Sequence, residues 1–293
     1  ILFFTNKGRV YRAKAYELPD AGRDARGQHV ANLLAFQPDE RIAEVLALRD
    51  YQVAPYLVLA TRSGLVKKSK LTAFENVRSG GIIAISLRED DEVIAARLVS
   101  PDDDLLLVSK GAQAIRFHAD DDSLRPMGRD TSGVIGMRFN DGDQLLGMYV
   151  VKDGGDVLVA TGGGFAKRTP AGEYPVQGRG GRGVVTAKIT EARGELVGAL
   201  MVHADDEIFA ITSAGGVIRT QAGGIKQSGR QTMGVRLMNL AAGVSVVGLA
   251  LNAESLADGE SADEDGDPGE AGEAGEAGGE ADPAPPAAGS DDE

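Results

Sequence analysis

An all-β fold of repeated, propeller-like blades is predicted by three features of this chain. Short apolar runs bounded by turn residues recur along residues 1–252, which is the pattern of strands. A basic residue follows each turn at a constant offset. No stretch shows the sustained 3.6-residue periodicity of an amphipathic helix. Units of roughly 50 residues holding four short strands are the size of propeller blades. One such unit cannot bury both faces alone, so neighbouring units stack and share a core.

The first landmark of each unit is an apolar run, a turn glycine, and a basic residue four places later. Ile1–Thr5 leads to Gly8 and Arg12, and Tyr56–Thr61 to Gly64 and Lys68. Asp156–Thr161 leads to Gly164 and Arg168, and Glu207–Thr212 to Gly215 and Arg219. The middle copy, Leu105–Ser109, has Ala112 at the glycine position and still reaches Arg116. Successive basic positions lie 56, 48, 52 and 51 residues apart. Lys67 and Lys167 add a second cation in two copies.

A second landmark is Arg-x-x-x-Gly, at Arg23–Gly27, Arg129–Gly133, Arg179–Gly183 and Arg230–Gly234, with Arg78–Gly81 one residue shorter. Each leads into an apolar run that reads as a strand. A third landmark, an acidic or glycine turn and another apolar run, closes each unit, as at Glu92-Val93-Ile94 and Asp143-Gln144-Leu145-Leu146. Three landmarks in the same order five times define five blades of four strands.

Composition divides the chain in two. The net charge is -13, yet residues 253–293 hold fifteen acidic residues and no basic one, which leaves 29 acidic against 31 basic residues in 1–252. The sign a partner meets is therefore local. With Gly, Ala, Glu, Asp and Pro dominant, the tail cannot bury enough apolar surface to offset its ordering entropy, so it is expected to be disordered. Its carboxylates could compete with an anionic partner for the body. There is no Cys, which excludes disulfides and thiolate metal sites, and three separated histidines, His29, His118 and His203, suggest no metal centre. No apolar run approaches the ~20 residues of a membrane helix. The chain opens Ile1-Leu2-Phe3-Phe4 without Met, which reads as a fragment of a longer protein.

The stretch richest in chemistry is Gln177-Gly178-Arg179-Gly180-Gly181-Arg182-Gly183. Glycines let a backbone turn sharply and approach a ligand closely, and paired guanidiniums suit phosphate oxygens. Gly178, Gly180 and Gly183 spell G-x-G-x-x-G, but a dinucleotide loop requires a strand before and a helix after. Here the strand-like Val184-Val185-Thr186 follows. Gly162-Gly163-Gly164 lacks the Lys-Ser/Thr of a phosphate-binding P-loop. No His/Asp/Ser constellation or metal-ligand spacing is present.

The fivefold repeat and the Gln177–Gly183 stretch together resemble the C-terminal domain of the DNA gyrase A protein, whose signature box reads Q-R-R-G-G-K-G. Gly178 stands for the first Arg of that box and Arg182 for its Lys. Gly8-Arg9-Val10-Tyr11, Ala31-Asn32-Leu33-Leu34 and Asn239-Leu240 resemble actinobacterial members. The resemblance spans residues 1–252 and implies a six-bladed β-pinwheel whose blades exchange strands, of which five are present. The box-like stretch lies in the fourth repeat and is similar to an accessory box of actinobacterial relatives. Whether it replaces a box in a missing first blade is left open.

The resemblance implies that the domain binds duplex DNA around a basic rim and wraps it with one hand, so that a type II topoisomerase introduces negative supercoils. The rim would carry Arg12, Lys68, Arg116, Arg168 and Arg219, thickened by Lys67 and Lys167. A second series would be Arg23, Arg78, Arg129, Arg179 and Arg230, with Gln177, Gly180, Gly181, Arg182 and Gly183 pinning the duplex. It implies no catalysis by this stretch itself and no cofactor in it, since ATP and Mg belong elsewhere in the parent. Partners would be double-stranded DNA, the N-terminal cleavage domain of the same polypeptide, and the gyrase B protein in an A2B2 complex. The setting would be the cytoplasm at the nucleoid, with no membrane. The alternatives are a topoisomerase IV C-terminal domain and a propeller-type protein scaffold that binds no DNA.

Overall fold

The computed structural model describes residues 1–22 and 25–252; Arg23 and the acidic tail expected over 253–293 lie outside the described residues. Five repeats unfold in order. The first holds β1 (Leu2–Thr5), β2 (Arg9–Arg12) and β3 (Ile42–Leu46). The second holds β4 (Tyr56–Thr61), β5 (Leu65–Lys70), β6 (Ile82–Ile83) and β7 (Val93–Val99). The third holds β8 (Asp104–Ser109), β9 (Gln113–His118), β10 (Val134–Ile135) and β11 (Leu145–Val150). The fourth holds β12 (Asp156–Thr161), β13 (Phe165–Pro170), β14 (Val184–Val185) and β15 (Leu196–Val202). The fifth holds β16 (Glu207–Thr212), β17 (Val217–Gln221), β18 (Val235–Arg236) and β19 (Val246–Leu251). Only short 3-10 turns interrupt the strands.

The sheets do not coincide with the repeats. The sheet orders are β3-β1-β2-β6, β7-β4-β5-β10, β11-β8-β9-β14, β15-β12-β13-β18 and β17-β16-β19. Each two-residue strand therefore leaves its own repeat and pairs antiparallel with the hairpin of the repeat before, as in Val10 with Ile82 and Val66 with Val134. This is the strand exchange of a pinwheel. It makes the last sheet three-stranded among the described residues, because no sixth repeat among them donates a strand. At the other end, the expected first-repeat strand is a 3-10 turn, Val30–Asn32. This segment covers its own blade, where Leu34 packs with Phe3 and Tyr11.

Glycine sets the junctions. In each hairpin the amide three places after Thr or Ser closes the turn, as Gly64 does on Thr61 and Ala112 on Ser109. The residue there adopts positive φ, +84° at Gly64 and 61° even at Ala112. Its carbonyl then accepts from the next repeat: Gly8 from Ala84 and Ile85, Gly64 from Gly136 and Met137, Gly164 from Leu237 and Met238. A Cβ on Gly64 would stand 2.5 Å from the Met137 carbonyl oxygen.

Strands buried on both faces bind successive blades into one core. Leu57 and Leu59 pack on Leu2 and Phe4 of the preceding blade, while Val58 and Ala60 pack on Leu105 and Leu107 of the following one. The same alternation sends Leu106 and Val108 to Val157 and Val159, and Leu158 to Ile208. Full burial stabilises each such side chain by about 1.5–3 kcal/mol. The innermost strands β3, β7, β11, β15 and β19 touch in sequence, so the two-residue exchange strands form the outer edge.

Gly64 and Gly215 separate the two demands on the turn residue. Both have positive φ, but a Cβ at Gly215 meets nothing within 4 Å. Gly215→Ala is expected to cost about 1–2 kcal/mol, the left-handed strain alone. Gly64→Ala should cost clearly more, because it also pushes away the neighbouring blade. Denaturant midpoints of the two variants check this, and equal losses would count against a junction role.

Candidate nucleic-acid interface

Of the once-per-blade basic series expected on the rim, Lys68, Arg116 and Arg168 lie in the blade junctions instead, while Arg12 and Arg219 are exposed. Lys68 is fully buried, donates to the Ala119 carbonyl at 2.6 Å, pairs with Asp121 at 2.7 Å and lies 4.5 Å from the Tyr56 ring centre. Arg116 pairs with Asp104 and donates to the Ala171 carbonyl. Arg168, 8% exposed, pairs with the buried Asp156 and donates to the Ile225 and Gly223 carbonyls. Arg12 donates to the Glu75 carbonyl. Every one of these four thus fastens its hairpin to the segment after the next hairpin. The acidic or aromatic partner of Lys68, Arg116 and Arg168 sits twelve residues earlier, diagonally across the hairpin, and Glu207 fills that role for the exposed Arg219. A buried cation holds its charge only when paired and hydrogen-bonded, and here the pairing is built into the repeat.

Lys67 and Lys167 are also internal. The Lys67 ammonium donates to the carbonyls of Ala84, Gly128 and Arg129, and that of Lys167 to Gly229, Arg230 and the Thr232 hydroxyl. Both clamp the loops that carry the second arginine series. The expectation of rim cations at Lys67, Lys68, Lys167 and Arg168 is therefore corrected. Burying the strand between two blades forces each of these charges onto carbonyls of its neighbour. Burial pushes Lys67 down from the ordinary 10.5 to about 7, with Arg129 adding and Asp130 opposing. Burial likewise pushes Lys167 to about 8, with Glu173 opposing and Arg230 adding.

The second series does reach the outer edge. Arg129, Arg179 and Arg230 donate to the carbonyls of Ile83, Ile135 and Val185, the last residues of successive exchange strands. Arg78 is exposed and its side chain makes no polar contact among the described residues. Arg23 lies outside the described residues. The glycine that ends each Arg-x-x-x-Gly step is required where the chain enters the neighbouring blade. At Gly183, φ +74°, a Cβ would come 2.1 Å from the Ala114 carbonyl oxygen.

The Gln177–Gly183 loop departs from this scheme in three ways. The lysine position beneath it is Ile115, so no ammonium clamps it; Ile115 Cδ1 would lie 3.5 Å from a Cβ on Gly181. Its own backbone docks instead: the Gly180 amide, at φ +80°, donates to the Gly136 carbonyl at 2.7 Å. In return Gly180 accepts from the Arg138 side chain, while the Arg138 amide bond to the Gly181 carbonyl repeats those of Ser86 to Thr131 and Lys188 to Thr232. Arg179 also donates to the Ser123 carbonyl at 2.7 Å. Arg182 is exposed with no side-chain partner among the described residues, and the Gln177 side chain is likewise uncommitted. Ser132 and Met233 hold the place of Arg182 in neighbouring repeats.

Around this loop Arg125, Arg138 and Lys188 are exposed, and sequence reasoning missed all three. Arg138 and Lys188 share a place, five residues beyond the loop glycine, and that spacing could have marked them. Among the described residues, no cluster of His, Asp and Glu could hold a metal ion.

The family model of the DNA gyrase C-terminal domain, a beta-propeller, matches residues 1–48, 55–100, 103–152, 155–203 and 206–252. The chain belongs to the DNA gyrase C-terminal domain family. The DNA gyrase A protein of Streptomyces coelicolor is 64% identical over 270 residues, covering 90% of this chain and 32% of the relative. That of Mycobacterium bovis is 63% identical over 266 residues, covering 91% and 32%. The chain thus spans about a third of the length of these curated relatives. A solved DNA gyrase A C-terminal domain superposes with TM-score 0.74 at 28% identity, covering 85% of this chain and 81% of that one. The C-terminal domain of a DNA topoisomerase IV superposes with TM-score 0.79 at 26% identity, covering 90% and 84%. The fold is common to both, and the high identities are to gyrase A proteins of actinobacteria.

The buried lysines of this gyrase-type domain give a pH signature. With a folded value near 7 against 10.5 unfolded for Lys67, the unfolded chain holds more protons throughout that window. Stability from this site therefore rises as pH rises through it and levels off below. The expected outcome is that wild type gains stability relative to Lys67→Met as pH is raised from neutral. Parallel midpoint-against-pH curves would contradict it.

Proposed function

We propose that this domain binds duplex DNA along its outer edge and wraps it with one hand, so that its parent gyrase introduces negative supercoils. The observation carrying this reading is the Gln177–Gly183 loop. Its glycines are anchored on the neighbouring blade, Arg179 stands beside it, and the side chains of Arg182 and Gln177 have no protein partner among the described residues. A rigid loop with free guanidinium donors suits the planar, bidentate recognition of phosphate. Membership of the gyrase C-terminal domain family supports the same partner.

On this reading the DNA-contacting set is Gln177, Arg179 and Arg182, placed by Gly180, Gly181 and Gly183, with Arg78, Arg129 and Arg230 continuing the track around the edge. Phosphate contacts position a duplex without reading its sequence, so binding depends strongly on salt and weakly on sequence. Bending the duplex smoothly costs on the order of 1–6 kcal/mol per 20–30 bp. Charge-assisted hydrogen bonds of about 1.5–3 kcal/mol each offset that cost when several form per segment. The domain performs no chemistry itself. ATP and Mg act elsewhere in the parent, whose cleavage domain and B protein receive the crossing that the wrap presents, in the cytoplasm at the nucleoid. Among the described residues no helix is long and apolar enough to cross a membrane.

The test is plasmid relaxation and religation in the presence of the domain. Arg179→Ala with Arg182→Ala is expected to reduce the linking-number shift severalfold while duplex binding weakens less, because other blades still hold phosphates. An unchanged shift would remove the loop from the mechanism. A wild-type domain that neither shifts linking number nor binds duplex would favour the protein-scaffold alternative.

A further inference from the structure

Resting on the reading that the edge binds duplex DNA, the geometry points to a second phosphate-binding subsite, separate from the Gln177–Gly183 loop. It is the open cleft between the first two blades where Arg9, Arg78 and Arg129 converge around Ile82 and Ile83. We propose that this cleft takes one backbone phosphate of the duplex and serves as a distinct anchor for the wrap.

Three features build it. Arg9 begins β2, and its guanidinium is fixed by donation to the Gly80 and Gly81 carbonyls and the Tyr11 hydroxyl. These bonds leave Nη1 unused. Arg129 is fixed through its side chain on the Ile83 carbonyl and through its own carbonyl on the buried Lys67 ammonium. Arg78 is exposed and its side chain has no polar partner among the described residues. Two guanidiniums are therefore held in place with donors to spare, and the third is free to close on a ligand. One carboxylate, Asp130, also lines the cleft, so three positive charges meet one negative charge.

In this cleft the cation facing the loop arginines is borne by the hairpin itself, at Arg9. The equivalent residues in the later repeats are Leu65, Gln113, Phe165 and Gly216, none of which carries charge. At the fourth junction Arg193, from a different loop, donates to the equivalent Met233 and Gly234 carbonyls and stacks over Phe165. Three convergent guanidiniums with one carboxylate between them match an anion with several oxygens, and the backbone phosphate is the one a duplex presents.

The experiment titrates a fluorescent duplex with the full 293-residue chain over a range of salt, comparing wild type, Arg78→Ala, Arg78→Ala/Arg129→Ala and Asp130→Asn. The Arg78 side chain is exposed and has no polar partner to lose among the described residues, so its variant keeps the test valid should the double variant misfold. Removing one phosphate contact is expected to make the slope of log affinity against log salt shallower by about 0.9 and to weaken binding about tenfold in the double variant. Arg78→Ala should weaken binding by a smaller factor in the same direction, and Asp130→Asn should tighten it. If wild type binds and Arg78→Ala leaves both affinity and slope unchanged, the cleft is not a subsite while the DNA reading stands. If wild type fails to bind duplex, both fall together.

Discussion

The carbonyl of one turn residue per blade is the contact on which this domain depends. At Gly8, Gly64, Ala112 and Gly164 that oxygen receives backbone N–H groups from the following repeat. The exchange strand is thereby fixed in register against the hairpin before it. The close approach demands positive φ and a missing Cβ, which is why glycine recurs where a strand turn alone would tolerate Asn or Asp. Ala112 keeps the conformation at φ 61° and receives only the Thr186 amide. Because each junction uses a strand from the next repeat, blades cannot fold as independent sheets, and the two ends of the series differ from its middle.

That dependence sorts the cations into two populations. Residues on the hairpin itself, Lys67, Lys68, Lys167 and Arg168, are sealed by the adjoining blade and commit their donors to its carbonyls. Residues on the loops before the exchange strands are carried outward and keep donors for a ligand. On the proposed reading, an edge that holds phosphates is in this way separated from a core that holds blades, although both use Lys and Arg. Ile115 shows the separation at its clearest. Where the interior ammonium is dropped, the loop above it gains Gly180, Gly181 and Arg182 and anchors through its own backbone.

Much of the fold was legible in the sequence, because turn glycine, apolar run and repeat spacing are local signals. The strand count per repeat holds in the second to fifth repeats and fails in the first, and the last sheet has three strands, since the pairing partner of a two-residue strand lies in another repeat. The basic series was the larger misreading. A lysine flanked by Lys67 or Ser69 has the look of a solvated strand face. Nothing in one strand's alternation reveals that a second blade covers that face. The acid twelve residues ahead of Arg116, Arg168 and Arg219 was visible, and a repeated opposite charge diagonally across a hairpin marks a cation that is paired within the protein. The loop arginines belong at the edge on either reading, and the place Arg138 shares with Lys188 was a signal left unread, whereas Arg9 carries no local signal because its importance lies in convergence with residues tens of positions away.

The central claim is that the edge loops, and not the hairpin cations, hold the duplex. The most direct measurement is a structure of the domain bound to a duplex long enough to cross all five blades. The account expects phosphates within hydrogen-bond distance of Arg179 and Arg182 and none at Lys68 or Arg168, whose pairs with Asp121 and Asp156 stay intact. A duplex that instead draws Lys68 or Arg168 out of its junction, or that passes the Gln177–Gly183 loop without contact, would contradict it.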